Sequence, residues 1–479
     1  MKKEGFFQKD GTKKLLSSLI SILIGLVVGV IGIVLVGVFS EDISGKGIWE
    51  SVRLILFGIA NTGRTEAGEL AWGFNSVNLG NMLFRATPLI MTGLSVAVAY
   101  KTGLFNIGAS GQYLMGTTAT LIIALSVPTE TVPPFVVWLL ALLGGMLAGA
   151  IWGAIPGILK AFLNINEVLA CIMTNWIAAN LVTMIFDGSS FRNGEEYGKL
   201  GYIFKTTHNG VATPKLGLDR IFSGSQINGG IIVAILIAVL MYVIMYKTTL
   251  GYELTACGSN RHAARYAGIR DKRNIILSMA IAGALAAAGA SLYYLSGNTE
   301  FGWQTYQSLP AEGFNGIPVA LLALTNPIGV IFSGSFLAML SIIGQQLTGL
   351  TAYNEYITDV IIAVIVYLSA FSLAIRMLLS RRKKKTAAAA VPVAAGAAPP
   401  SIENVGTEGT AAETPLPDAK AAETPAETPK ELPAEAPEDA PEEISAETPE
   451  EAPEEAPADA PAETSAADPA KTVKGGDEA

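Results

Sequence analysis

Residues 15–39 read LLSSLISILIGLVVGVIGIVLVGVF, an apolar stretch without a charged residue. About 20 such residues in a helix cross the roughly 30 Å hydrocarbon core of a bilayer. Lysines cluster before the stretch, but its apolar run is too long for a signal peptide and no small-residue cleavage pattern follows it. We therefore expect an uncleaved membrane anchor whose amino terminus lies in the cytoplasm.

Further apolar stretches of similar length follow along the chain. They are Val77 to Tyr100, Leu104 to Ser126, Phe135 to Pro156, Ile165 to Phe186, Gly230 to Tyr246, Asn274 to Leu295, Leu309 to Leu324, Ile328 to Gly344 and Ile357 to Leu379. In a bilayer, a helix satisfies its own backbone hydrogen bonds. The sequence therefore predicts an all-α polytopic membrane protein with about ten transmembrane helices.

The charges between these stretches agree with that count. Ten crossings that begin in the cytoplasm also end there, and the basic segment Arg381 to Lys385 follows the last one. Lys101 and the segment Arg261 to Arg273 fall on the same predicted side, as the positive-inside rule requires. The count depends on dividing Leu309 to Gly344 at Asn326-Pro327-Ile328-Gly329, which has the composition of a turn.

The composition separates the chain into two unlike parts. The 479 residues are 51% hydrophobic with a net charge of −9, but residues 386–479 alone carry 22 acidic residues against 4 lysines. Their repeated Ala-Glu-Thr-Pro units predict a disordered cytoplasmic tail, which is either dispensable or a docking arm for a basic partner. We expect a cytoplasmic terminus over 1–14, a membrane domain over 15–385 with a cytoplasmic loop at about 248–273, and this tail. The composition excludes an ordinary soluble globule.

Glycines and amides interrupt two of the predicted spans. The third span opens with Phe105-Asn106-Ile107-Gly108-Ala109-Ser110-Gly111-Gln112, and the eighth contains Glu312-Gly313-Phe314-Asn315. In the predicted topology they enter the membrane from opposite sides, which predicts an inverted repeat that matches spans two to five with spans seven to ten. Chance similarity of glycine-rich segments is the alternative. The candidate pathway residues here are Phe105, Asn106, Gln112, Phe314 and Asn315.

A further polar group lies in the fifth span. Glu167 is near its cytoplasmic start, and Asn175 and Trp176 lie two turns deeper. An ionisable residue in a span marks a functional hypothesis, although Glu167 could equally reach interfacial water. Asn175 and Trp176 offer an amide and a ring to a planar polar solute, and packing between helices is the alternative role.

The loop between the sixth and seventh spans is basic and polar. Ser259 or Asn260 can cap a short helix that Gly268 ends. Such a helix, lying along the cytoplasmic surface, suits docking of a partner or contact with acidic lipid.

The same loop resembles a known family. The run Gly-x-Asn-x-x-Ala-Ala-x-Tyr-Ala-Gly-Ile over 258–269 is similar to the coupling loop of bacterial ATP-binding-cassette importer permeases of the ribose and nucleoside group. Residues 92–112, 166–175 and 316–329 resemble the early, middle and late signatures of that family. The segments Asn166-Glu167-Val168 and Phe105-Asn106-Ile107-Gly108-Ala109 are most similar to those of the nucleoside-type permeases.

The resemblance implies a permease subunit that works with other chains. These are a second, related permease, a cytoplasmic ATPase that binds ATP and Mg, and an extracytoplasmic solute-binding protein or lipoprotein, with membrane lipid around them and no nucleic acid. It also implies that the loop contacts the ATPase. The loop residues carried over are Gly258, Asn260, Arg261, Ala264, Tyr266 and Gly268. The expected location is the bacterial cytoplasmic membrane, with both termini inside.

The chain itself carries no sign of enzymatic chemistry. It contains no Gly-x-x-x-x-Gly-Lys-Ser/Thr phosphate loop, so we expect ATP to be bound by the partner and no cofactor by this chain. Import of nucleosides by alternating access is the predicted function. A permease for ribose or another simple sugar is the first alternative, and an ion-coupled secondary carrier is the second.

Overall fold

The structure is a computed structural model. It describes residues 10–40, 42–193, 202–203, 210–354 and 356–370. The predicted tail over 386–479 and the basic segment Arg381 to Lys385 lie outside these residues.

The described part is mainly helical. In chain order its helices are α1 (Asp10–Phe39), α2 (Gly45–Phe57), α3 (Ser76–Lys101), α4 (Ala109–Ser126), α5 (Pro134–Leu163), α6 (Glu167–Phe186), α7 (Leu218–Ile221), α8 (Gly230–Lys247), α9 (Thr249–Ser259), α10 (Arg261–Tyr266), α11 (Asp271–Tyr294), α12 (Ala311–Leu322), α13 (Pro327–Leu350) and α14 (Tyr356–Ala370). Two short antiparallel strand pairs lie in connecting segments. They are β1 (Asn61–Arg64) with β2 (Leu70–Trp72), and β3 (Arg192–Asn193) with β4 (Tyr202–Ile203).

Seven of the described helices are long and apolar enough to cross a membrane. They are α1 (over Ile22–Phe39), α3, α5, α6, α8, α11 and α13. Each overlaps a stretch that the sequence predicted as a span. Most of α3 and α11 is buried inside the bundle, whereas α1 exposes more than half of its side chains over Ile22–Phe39. The protein is therefore a polytopic helical membrane protein.

Two predicted spans differ from the structure. Helix α4 begins at Ala109 and not at Leu104, because Gly103 adopts a left-handed φ of 72°, residues 104–106 are irregular and residues 107–108 form a turn. Helix α12 has 12 residues, about 18 Å at 1.5 Å per residue, too short to cross about 30 Å of hydrocarbon. The described helix is therefore shorter than the complete span predicted over Leu309 to Leu324.

The division of residues 309–344 is confirmed. Helix α12 stops because Leu324 and Thr325 both adopt left-handed backbone conformations, with φ of 51° and 56°. Asn326 then caps α13, and its side-chain oxygen accepts hydrogen bonds from the backbone N–H groups of Ile328 and Gly329. The predicted last span is described only as far as Ala370. The count of ten crossings stays a prediction.

The helices pack in two sets that correspond to each other. In the first set α3 packs against α12 and α13, and in the second set α11 packs against α4 and α5. This packing supports the predicted pairing of α3 to α6 with α11 to α14, and the inverted repeat itself stays a prediction. The two similar glycine-rich segments occupy different places in this packing, because Phe105 and Asn106 precede α4 whereas Phe314 and Asn315 lie inside α12.

Glycines bring α5 and α11 into backbone contact. A Cβ atom at Gly283 would lie 2.9 Å from the carbonyl carbon of Gly149, and one at Gly153 would lie 3.0 Å from the Cα atom of Gly283. Real Cβ atoms do not approach so closely, so these positions admit only glycine. Small residues permit such close packing of membrane helices. Gly25 and Gly29 of α1 pack against Ile365 and Ile361 of α14, mainly against their side chains.

Candidate solute pathway and coupling loop

Three predicted pathway amides lie together in a buried cluster. Asn106 and Gln112 form a reciprocal pair, in which each side-chain NH2 donates to the other's oxygen, at 2.8 and 3.0 Å. Asn106 also donates to Ser95 Oγ on α3 at 3.0 Å. Both side chains are essentially inaccessible. The pair therefore fixes the turn before α4 to the interior of α3.

Asn175 completes this cluster from α6. Its oxygen accepts a hydrogen bond from the backbone N–H of Gly111 at 2.8 Å, and its NH2 group donates to the carbonyl of Ile107 at 3.0 Å. An N–H in the first turn of a helix has no partner within the helix, so Asn175 caps α4 from a neighbouring helix. The three amides hold the polypeptide around residues 104–111 in place through hydrogen bonds internal to the protein.

The starts of α4 and α12 meet next to this cluster. Ser110 Oγ donates to the carbonyl of Pro310 at 2.6 Å, and a Cβ atom at Gly313 would lie 2.7 Å from the backbone nitrogen of Ser110. From this meeting point the helices run in opposite directions, since α4 continues along the later half of α11 and α12 continues past Thr92 of α3. Helices that begin inside a bundle are typical of transporter binding sites.

The other predicted pathway residues are dispersed. Glu167 forms an ion pair with Lys160, at 2.9 Å, across the turn between α5 and α6. The Trp176 side chain is 55% exposed on the outer surface of α6, away from the amide cluster. Phe105 and Phe314 are half-buried, and Asn315 is exposed to a cavity. The structure thus unites Asn106, Gln112 and Asn175 and separates them from Glu167 and Trp176.

The cavity beside Asn315 was missed by reasoning from the sequence. It measures about 450 Å³ and lies between α3, α11, α12, α13 and α14. The charged side chains that line it are Arg85, Glu312 and Asp359. Arg85 lies inside a predicted span, and an ionisable residue there is the signal that could have directed attention to it.

The candidate coupling loop, at about 248–273, has the predicted helix. The side-chain oxygen of Asn260 accepts a hydrogen bond from the backbone N–H of Ala263 at 3.0 Å and so begins α10. Gly268 follows the helix with a φ of 80°, a left-handed conformation that favours glycine. The prediction of a short capped helix over this loop is confirmed.

Ion pairs fasten this helix to the start of α11. Arg261 Nε and Arg265 Nη2 each donate to the same carboxylate oxygen of Asp271 at 2.7 Å. The hydrogen bond and the negative charge of Asp271 raise the pKa of Arg265 above its ordinary value. Within α10, Ala264 is buried, whereas the Tyr266 side chain is 94% exposed. The loop therefore presents Tyr266 on a rigid support.

Gly258 connects the coupling loop to the turn before α4. A Cβ atom at this position would collide with the Lys101 carbonyl and would lie 2.7 Å from the Gly103 nitrogen. The end of α9 is thus in backbone contact with the segment that leads into the amide cluster. The contact also places Lys101 and the loop on one side of the protein, as the sequence predicted.

Helices that begin inside a membrane-spanning bundle are typical of the class of membrane transporters. Residues 78–370 match the family model for the permease component of branched-chain amino acid transport systems. This match covers more than half of the chain, and the protein belongs to that permease family.

Several named permeases are similar to this chain. The guanosine ABC transporter permease NupP of Bacillus subtilis is 34% identical over 77% of this chain and 96% of its own length. The nucleoside ABC transporter permease NupB of Lactococcus lactis is 35% identical over 64% of this chain and 84% of its own length. The glucose ABC transporter permease TsgB13 of Haloferax volcanii is 30% identical over 60% of this chain and 74% of its own length. Two more distant relatives are NupQ of Bacillus subtilis, at 25% identity, and NupC of Lactococcus lactis, at 24% identity.

Proposed function

We propose that this chain is the membrane-spanning permease subunit of an ATP-driven importer that moves nucleosides across the cytoplasmic membrane. The observation that carries the proposal is the similarity to NupP, because it extends over 96% of that guanosine permease. The similarity to NupB supports the same solute class. In this proposal both termini lie in the cytoplasm, and ATP and Mg are bound by a partner.

The proposed mechanism transmits a movement of the ATPase to the start of α4. The ATPase contacts α10 at Tyr266, and the ion pairs to Asp271 make α10 and α11 move together. Gly258 passes the displacement to Gly103 through backbone contact. Because the amide cluster ties the next residues to α3 and α6, the helix starts at Ser110 and Gly313 shift as a unit. Rigid-body steps of this kind underlie alternating access.

The proposed partners follow from the same comparison. Relatives of this chain are permease components of ABC transporters, and two of the bacteria have two such nucleoside or guanosine permeases each. We infer that this chain pairs with a related, different permease, and that the pair works with a cytoplasmic ATPase and an extracytoplasmic solute-binding protein. The exposed cations Arg270, Lys272 and Arg273 at the start of α11 suit the anionic headgroups of membrane lipid.

Import of a simple sugar is the second candidate, because the glucose permease TsgB13 is 30% identical. Uptake measurements distinguish the candidates. Cells with and without this chain are given radiolabelled nucleosides, ribose or glucose, first with ATP depleted and then with the proton gradient collapsed. Nucleoside uptake that requires the chain and ATP, but not the gradient, is the expected result. Uptake of sugar alone would favour the second candidate, and dependence on the gradient alone would favour a secondary carrier.

A further inference from the structure

The cavity between α3, α11, α12, α13 and α14 has the size and lining of a small-molecule site. Its volume of about 450 Å³ falls within the range of about 300–1,000 Å³ that such sites occupy. Apolar side chains form much of the wall, and polar groups from five helices converge on it. Those polar residues are Arg85, Tyr293, Glu312, Asn315, Ser341 and Asp359.

The charged groups of this cavity are unusual for a membrane interior. Arg85 lies nine residues from the start of α3, about 14 Å along the helix at 1.5 Å per residue. It donates a hydrogen bond to Ser341 Oγ of α13 at 3.1 Å. Glu312 lies in the first turn of α12, next to the meeting point with α4, and Asp359 is exposed on α14. Ionisable residues at such depth are costly and mark solute or ion pathways.

The lining matches the chemistry of a nucleoside. Carboxylates accept hydrogen bonds from ribose hydroxyls and from the N–H groups on the edge of a base, and a guanidinium donates to base carbonyls and ring nitrogens. The apolar walls, which include Pro88, Leu89, Leu337 and Ile362, suit the flat face of a base. A simple sugar has hydroxyl groups but no such aromatic face.

We propose that this cavity holds the nucleoside during transport, with Glu312 and Asp359 accepting its hydrogen bonds and Arg85 donating to its base. The proposal rests on the proposed import function and adds the residues that recognise the solute. Of the pathway residues predicted from the sequence, Asn315 belongs to this site. The buried amides Asn106, Gln112 and Asn175 serve instead as the support of the helix starts.

Two prolines make the walls of the cavity deformable. Pro88 of α3 and Pro318 of α12 both line it. Proline has no backbone N–H, so the carbonyl four residues earlier loses its helical hydrogen bond, and helices bend at such points. Bending there changes the width of the cavity. The equivalent contact in the other half, α5 against α11, is closed by backbone packing at Gly149 and Gly153.

Protection of an introduced thiol tests the site directly. The assembled importer carries Asn315→Cys, or Ser341→Cys as a second position, and a membrane-impermeant thiol reagent is added with and without guanosine. Both native cysteines, Cys171 and Cys257, are buried, so the unmodified chain supplies a low background. Glu66→Cys, at an exposed loop position, is the labelled control.

Guanosine at ten times its dissociation constant should slow labelling of the cavity thiols about tenfold and leave Glu66→Cys unaffected. Adding Glu312→Gln should abolish the protection while the labelling rate without guanosine stays the same. Equal labelling with and without guanosine at both positions, in an importer that takes up guanosine, would overturn this inference and leave the proposed function intact. Protection by ribose alone would overturn the nucleoside assignment of the cavity. Failure of the unmodified importer to take up any nucleoside would overturn the proposed function.

Discussion

Asn175→Ala tests whether the amide cluster holds the start of α4. The substitution removes two hydrogen bonds, to the Gly111 N–H and the Ile107 carbonyl, in a buried region. A buried polar group left without a partner costs about 1–3 kcal/mol, so the two groups together cost about 2–6 kcal/mol. We expect this cost to appear as local opening around residues 107–111.

Cys171 is a built-in reporter of that opening. It is fully buried, and a Cβ atom at Gly108 would lie 3.0 Å from its sulfur. A loss of 2 kcal/mol or more in the free energy of opening should speed its reaction with a thiol-reactive dye by about 30-fold or more, at tenfold per 1.4 kcal/mol. The assay is dye incorporation into the purified protein in detergent, with Cys257→Ala in the background so that one thiol is followed.

The matched control is Asn180→Ala on the same helix. Asn180 is exposed and donates only to the carbonyl of Trp176, one turn earlier, at 2.8 Å. Its loss should change the free energy by about 0.5 kcal/mol or less, which leaves the rate at Cys171 nearly unchanged. Equal labelling rates for Asn175→Ala and Asn180→Ala would refute the assignment of Asn175 as the support of α4.

Other expected outcomes concern coupling and charge. Tyr266→Ala should abolish ATP-driven uptake without lowering the melting temperature, because the side chain is 94% exposed. The control Tyr252→Ala, at an exposed position on α9, should keep uptake in the same transport assay. Uptake by both variants would contradict the coupling role of Tyr266. Gly258→Ala should reduce the uptake per ATP hydrolysed, since its Cβ atom would meet backbone atoms of residues 101–103. The control is Gly349→Ala, whose Cβ atom would meet nothing within 4 Å. Equal uptake per ATP hydrolysed in the two variants would refute the proposed contact path. Glu167→Gln should retain uptake and cost about 1 kcal/mol or less in stability, as for other partly exposed ion pairs; loss of uptake would instead favour an ion-coupled carrier.

The sequence predicted those parts of the fold that depend on local composition. Continuous apolar residues were sufficient to predict helices such as α1 and α8, because an apolar helix of that length crosses a bilayer and makes all its backbone hydrogen bonds internally. The short helix α10 was also predictable, since Asn260 and Gly268 supply its start and end through local hydrogen bonding and backbone preference.

The remainder depends on contacts between distant segments. Asn106 and Gln112 look like ligands for a solute in the sequence, but they bond to each other, because the turn before α4 brings their side chains within 3 Å. The shortness of α12 follows from two left-handed residues, Leu324 and Thr325, that are not glycine and so give no sequence signal. The cavity requires five helices to come together, and no single segment carries its pattern.

The backbone contact between α5 and α11 has a consequence for how the two halves of the protein work. Gly149 and Gly283 leave no layer of side chains between these helices, and side chains that change rotamer are what allow packed helices to slide. Sliding is therefore blocked at this seam, and we expect α5 and α11 to move together as one rigid body. Between α3 and α13, by contrast, the side chain of Ile90 lies against Gly334 and that of Val330 lies against Gly93. We therefore expect α5 and α11 to transmit a displacement without deforming, and the contact between α3 and α13 to adjust its side chains as the protein changes shape.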